Sequence, residues 1–358
     1  MDITFVGDIC LGRYVREKFE SSAYQLVAQD LVDRLVSKNG RVIANLESPV
    51  ADDILSDGIR FSGTSVMLSQ FKWVNCFSLA NNHINDFGEE GMAATVQSLK
   101  KVGLDYNGLF EDEYTPYLID DGENKIAIIT CSYGVNRKID PSCRYKLLNI
   151  RDEVLYAEIN KYKQLGYFVI VYAHMGIMFC RFPSLKGREI IGDMIDSGCG
   201  CVMVSHPHCI GGIYKYKDIP VFYSIGDFLM DGESFQRRQS CAVKLNVVKN
   251  QIVGWELIPT VTGDDLQVRI PNQRQERKIR NGIERTSVSL TKKRDDYGKF
   301  YKYQYKMDVL RHSISTIGFV VKTKGVRGFL KTLSLRKNDV HSMVKRAKTD
   351  RPGFRNGK

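Results

Sequence analysis

The chain has 358 residues, 43% of them hydrophobic, and a formal net charge of +11. That composition supports a sizeable core in one large domain or two, and no run of about 18 apolar residues marks a membrane-spanning helix. The opening "MDITFVGDICLGR" has no basic segment leading into a long apolar stretch, which argues against a secretory leader and for a cytoplasmic protein.

Taken in chain order, short apolar runs alternate with helical patterns. "DITFVG" reads as a strand, and "REKFESSAYQLVAQDLVDRLVSKNG" as one helix ending at Asn-Gly. "RVIANLES" is a β-branched strand, "VMLSQFKWV" a helix, "NCFSLANN" a strand and "GEEGMAATVQSLKKVG" an amphipathic helix closed by glycine. "KIAIITCSY" is a strand, "RDEVLYAEINKYKQLG" a helix, "YFVIVYAHMG" a strongly apolar strand and "LKGREIIGDMIDSGC" a helix. "GCVMVSHPH" and "IPVFYSIGDF" each read as one strand. This alternation predicts βαβ units and a largely parallel sheet. "SCAVKLNVV" and "QIVGWELIPT" follow without helices and predict an antiparallel portion or a second sheet.

A boundary falls near residue 264, where the charge changes. Residues 264–358 hold 25 basic and 9 acidic side chains, a net +16, whereas residues 1–263 hold 27 and 32, a net −5. The tail opens with basic, sparsely apolar stretches, "NQRQERKIRNG" and "KKRDDYGKF". Two amphipathic helices follow, around "MDVLRHSISTIGFVV" and "GFLKTLSLRKNDVHSMVKR", before a frayed "DRPGFRNGK". Nine cysteines without a CxxC pair read as buried, reduced thiols.

Polar side chains gather at successive strand ends: Asp8, then Asn45 and Glu47, Asn82 and His83, His174, and His206 with His208. In an open parallel sheet such ends share one edge. Carboxylate, amide and imidazole groups together suit Mn²⁺, Fe²⁺ or Zn²⁺, one ion or two. Each residue also has a plain structural alternative. Asp8 can cap a helix, Glu47 can sit in a solvated loop, Asn82 can take a positive-φ turn position, and His174 can be a core histidine. The HxH pair is the least ordinary feature, because Pro207 between the two histidines argues for a strand end.

The segments "FVGDICLGR", "ANLES", "SLANNHINDFG", "VYAHMG", "VSHPHCIGGI" and "VFYSIGDF" resemble, in order and spacing, the CapA family of bacterial poly-γ-glutamate and capsule synthesis proteins. That family is similar in turn to the calcineurin-like metallophosphoesterases. The resemblance covers roughly residues 2–260 and implies an α/β fold of four layers, an αββα sandwich, with a metal site at the strand ends. A basic, mainly helical extension would follow it. By the resemblance, Asp8 is the first metal-binding aspartate and Glu47 stands where a bridging aspartate is usual. Asn82, His174 and His206 complete a second metal position, and His208 joins Asp8 on the first. His83 lies outside the ligand set, placed to protonate a leaving group, while Asp86 either orients it or caps the helix near Gly88. Arg13 meets an anionic substrate, with Asn45 and Asp227 as further substrate-facing residues.

The implied chemistry is hydrolysis of a phosphoester or of an amide in an anionic polymer. The family pattern is broken at several points. Cys10 stands where phosphoesterases have histidine, "HMGIM" replaces "HWGxE", "SHPH" replaces "GHHPH", and "GDF" replaces "GNF", adding Asp227. These departures keep open a second function, a non-catalytic partner in a capsule synthesis or export complex. The basic tail has three readings: a packed appendage with a solvated face, a contact for an anionic membrane surface, or a contact for an anionic polymer or nucleic acid. No recognised nucleic-acid module occurs, and no specific nucleic acid is expected.

Overall fold

The computed structural model describes residues 1–22, 24–57, 60–232, 234–291 and 296–348, with side chains of the last helix described through residue 322. Two sheets are built from the apolar runs. In the first, β1 (Asp2–Ile9) is central and runs parallel to β2 (Arg41–Leu46), which leads to β3 (Cys76–Ser78) and β4 (Asp105–Asn107). On its other side lie β14 (Gln239–Val248), β15 (Gln251–Thr262) and β16 (Val268–Arg269), all antiparallel, while β13 (Asp227–Leu229) pairs parallel with the end of β1. In the second sheet β7 (Lys125–Ser132), β9 (Phe168–His174), β10 (Cys201–Ser205) and β12 (Ile219–Phe222) are parallel. Antiparallel β6 (Tyr117–Asp120) and β11 (Ile213–Tyr216) form its edges. A two-stranded ribbon joins β5 (Leu109–Phe110) to β8 (Lys146–Leu147).

The helices are α1 (Arg13–Ser22), α2 (Gln29–Leu35), α3 (Ser65–Leu68), α4 (Gly88–Val102), α5 (Glu153–Gln164), α6 (Leu185–Asp196), α7 (Gln273–Thr291) and α8 (Tyr297–Lys348), the last broken at Gly325. Alternation along β1 shows how the core is divided. Ile3 and Phe5 join Ile43, Ile128, Ile170, Tyr172 and Met203 in a cluster drawn from both sheets. Val6 and Ile9 instead join Leu31, Leu35, Met92 and Leu99 of the helices. On the second sheet Ile129, Val171 and Val202 pack with Leu155, Ile159, Ile190 and Met194. Phe5 and Tyr172 meet edge-on at 5.5 Å, and the Tyr172 hydroxyl donates to Val6 O at 2.8 Å, tying the two sheets together. All nine cysteines are free thiols, eight of them buried. Among the described residues no helix is long and apolar enough to cross a membrane.

Several elements depart from the sequence reading. The single helix expected from residue 16 to residue 40 is two, because Leu26 and Val27 between them pair with Val268 of β16. "VMLSQFKWV" forms only the short α3 and a following 3₁₀ turn. The expected strand "IPVFYSIGDF" is divided between the sheets: β12 belongs to the second and β13 to the first, with Ser224 (φ 60°) and Gly226 (φ 81°) turning the chain between them. The first sheet also extends past residue 264 through β16. The stretch "NQRQERKIRNG" lies in helix α7, whose Ile279, Ile283 and Leu290 bury one face beneath a basic exterior. The second tail helix is present in the backbone, but its side chains and the expected frayed end, 350–358, lie outside the described residues.

Candidate metal centre

The C-terminal ends of strands from both sheets meet at one place, and the register explains the meeting. Asp8 lies opposite Asn45 in the β1–β2 pair and opposite Asp227 in the β1–β13 pair, while Ser205 lies opposite His174 in the β9–β10 pair. The close approach of β13 requires Gly7, since a Cβ there would stand 1.9 Å from Gly226 O. The histidine-bearing turn after β10 is strained, with His206 at φ 97° and His208 at φ 54°, both in the left-handed region.

Two groups of side chains converge there. Glu47, His174 and His206 place one ligand atom each within 4.8 Å of one another, and Asp8, Glu47 and His208 do the same. Glu47 belongs to both. It is fully buried, and neither of its carboxylate oxygens accepts a hydrogen bond among the described residues. His174 Nε2 and His208 Nε2 stand 3.5 and 3.7 Å away, beyond hydrogen-bond distance, so a buried polar group is left without a partner that a cation between the two groups would supply. The donor set of imidazoles and carboxylates suits Mn²⁺, Fe²⁺ or Zn²⁺, so the residues present fit a divalent ion.

The surrounding contacts orient these ligands. Asp8 accepts from Asn45 Nδ2 at 2.7 Å and from the His206 backbone N–H at 3.0 Å. Ser205 Oγ lies 3.1 Å from His174 Nδ1, and Asn82 Oδ1 lies 2.7 Å from His174 Nε2. Asp227 Oδ1 is 2.7 Å from His208 Nδ1, and its other oxygen accepts from Arg237 at 3.3 Å. Asn45 and Asp227, expected to face substrate, are therefore buried and hydrogen-bonded to ligand residues. Such supporting partners fix the tautomer and direction of a ligating histidine.

Charge follows the same geometry. Burial opposes protonation of His174, but Asp8 and Glu47, 3.6 and 3.5 Å from its nitrogens, lift it to about 9. His206 is held well below the ordinary value by burial and by repulsion from His174 and His208. Burial also opposes protonation of His208, yet the charges of Asp227 and Glu47 raise it. Burial works against ionisation of Asp8, but the bond to His174 and the charges of His174 and His208 hold it below the usual carboxylate range. Cys10, two residues beyond Asp8, is pushed up to about 12 by burial and stays a thiol packed with Phe61 and Met230.

His83 stands beside this group. Its Nδ1 is 2.8 Å from Asp86 Oδ2, and its ring stacks on Phe61 at 4.0 Å. Asp86 also accepts from the Phe61 backbone N–H at 2.9 Å, and α4 carries no side-chain cap, so Asp86 sits on His83 rather than on the helix. Arg13 is ion-paired with Asp231 and lies 4.3 Å over the Phe61 ring. Asn81, Phe61, Asn136 and Arg237 join the site without a signal of their own in the sequence pattern, save one. Asn81 Nδ2 donates to Leu46 O and Asn45 Oδ1, and only its place in the doubled "NNH" hints at such a role.

The chain is an α/β protein that gathers histidine and carboxylate side chains, a candidate metal-binding group, at the C-terminal ends of its strands. Residues 2–232 match the family described as bacterial capsule synthesis protein PGA_cap, and the chain belongs to that family. It is 26% identical over 278 residues to the PGA biosynthesis protein CapA of Bacillus subtilis (strain 168), covering 72% of this chain and 71% of that protein. It is 25% identical over 282 residues to the capsule biosynthesis protein CapA of Bacillus anthracis, with 72% and 67% covered. A hypothetical protein from Thermus thermophilus superposes over 72% of this chain and 98% of its own, at TM-score 0.42 and 13% identity.

Proposed function

We propose that this chain is a CapA-like protein of capsule or poly-γ-glutamate biosynthesis whose metal centre hydrolyses a phosphoester or an amide of an anionic polymer. The observation that carries this is Glu47: a fully buried carboxylate shared by two ligand groups and given no hydrogen-bond donor among the described residues. Glu47, Asn82, His174 and His206 would hold one ion, and Asp8, Glu47 and His208 would hold another. When bound, such an ion supplies Lewis acidity and lowers the pKa of water. The chain's own residues do the rest. His83, held at Nδ1 by Asp86, delivers a proton from Nε2 to the leaving group. Arg13, beside Phe61, meets the anionic part of the substrate.

The same proposal takes the architecture as a four-layer αββα sandwich, supported by one core cluster between the sheets and one helix-covered cluster on each. It takes the chain beyond about residue 264 as a basic, mainly helical extension, supported by α7, α8 and the +16 charge of that segment. Exposed Leu310, Ile314 and Ile317 near basic residues of α8 support peripheral contact with an anionic membrane. Failure to sediment with anionic vesicles at low salt would remove that contact.

The central test is turnover of an aryl phosphate by protein reconstituted with Mn²⁺. Hydrolysis that disappears in both Asp8→Ala and His206→Ala is expected. Stoichiometric metal without turnover on phosphoester or amide substrates would instead favour the non-catalytic partner.

A further inference from the structure

Helix α8 lies beyond residues 2–232, the part of the chain that matches the family. It nevertheless grips both loops that hold His208. On one side, Asp308 is fully buried and accepts from the Arg181 backbone N–H at 3.0 Å and from its guanidinium at 3.0 and 2.8 Å. Arg181 lies in the same loop, between β9 and α6, as Phe179, a bulky residue at φ 64°. The Phe179 N–H donates to Pro207 O at 2.7 Å, within the turn whose two histidines are also left-handed. His312, one turn beyond Asp308 on α8, stacks on the Phe179 ring at 3.6 Å with 6° between the planes.

On the other side, Ser315 Oγ accepts from the Gln236 N–H at 3.4 Å, and Phe319 meets Phe235 at 5.5 Å. The next residue, Arg237, donates to Asp227, which in turn holds His208 Nδ1. A strained backbone persists only where its surroundings over-determine it. The 206–208 turn has two such supports, and both run to one face of α8.

We propose that α8 is a clamp on the histidine-bearing turn, and that Asp308 is a positioning residue acting on His208 through Arg181 and Phe179. The metal-binding part of this inference rests on the proposed metal centre; the backbone part does not. The clamp couples the C-terminal helix to the site, so that displacing α8 loosens the turn.

The test uses the full chain with Asp308→Asn, which keeps the side chain's shape, and His312→Ala, which removes the ring that stacks on Phe179 and its contact with Thr316. Amide hydrogen exchange is read for residues 176–182 and 205–212, without added metal and with Mn²⁺. About tenfold faster exchange in both segments is expected for Asp308→Asn, with β7 and β9 unchanged. A smaller change in the same segments is expected for His312→Ala. Mn²⁺ affinity, read by calorimetric titration, falls about tenfold in Asp308→Asn, at the low end for partners behind a ligand. Wild-type exchange in both segments of a folded Asp308→Asn variant would overturn the clamp. If that variant does not fold, unchanged exchange in His312→Ala overturns it. A wild-type protein that takes up no Mn²⁺, while the exchange differences persist, would overturn the metal centre and leave the clamp standing.

Discussion

Replacing Glu47 with glutamine isolates the charge at the middle of the site. Glutamine keeps the volume, so no cavity opens in the surrounding core. The carboxylate stands 3.5 Å from His174 Nε2 and 3.7 Å from His208 Nε2, at the place where both ligand groups overlap. At 3.5 Å and an effective dielectric of about 20, one unit-charge pair is worth roughly 5 kcal/mol before desolvation. If desolvation offsets about half of that, about 2.5 kcal/mol remains, which is nearly two decades of metal affinity. The assay is thermal unfolding with and without Mn²⁺. At a metal concentration of about 100 Kd the wild-type protein gains about 2.7 kcal/mol, and Glu47→Gln gains almost nothing at that concentration. A full metal-induced shift in folded Glu47→Gln would refute the assignment of Glu47 as the shared ligand.

The pH dependence should invert on metal loading. His174 has its folded-state value raised to about 9 from 6.5, so its contribution to the metal-free protein is complete below 6.5 and is lost as pH rises through about 9. A ligating histidine must be neutral, so metal binding tightens across the same window, and unfolding scans from about pH 6 to about pH 10 with and without EDTA will show opposite slopes. His83→Ala should retain stoichiometric metal while turnover falls by about 10²–10⁴, as measured by elemental analysis beside steady-state rates. Tyr172→Phe removes the hydroxyl bond to Val6 O and should lower unfolding free energy by about 1–2 kcal/mol in urea titration, without changing metal content.

The strand-end series was legible because each β-branched or apolar run stops at a polar residue. Asp8, Glu47, His174, His206 and His208 came together as that pattern implied. The division of "IPVFYSIGDF" between two sheets was not legible, since one continuous apolar run hides the reversal at Ser224–Gly226. Helix α7 was obscured because its basic positions outnumber the apolar face formed by Ile279, Ile283 and Leu290. Asp86 had two local roles open to it, and only the chain fold brings Phe61 close enough to engage it. Asp308 was invisible as a site residue. In "KMDVL" it looks like an ordinary acid on a helix surface, and its partner Arg181 is 127 positions away. No local periodicity carries such a pairing.

Elemental analysis of the purified chain, repeated after chelation and reconstitution with Mn²⁺ or Zn²⁺, tests the central claim most directly. One or two divalent ions per wild-type chain are expected, with a sharp loss of bound metal in Glu47→Gln. Wild-type protein that binds no divalent ion, or Glu47→Gln protein that binds as many as the wild type, would contradict that claim.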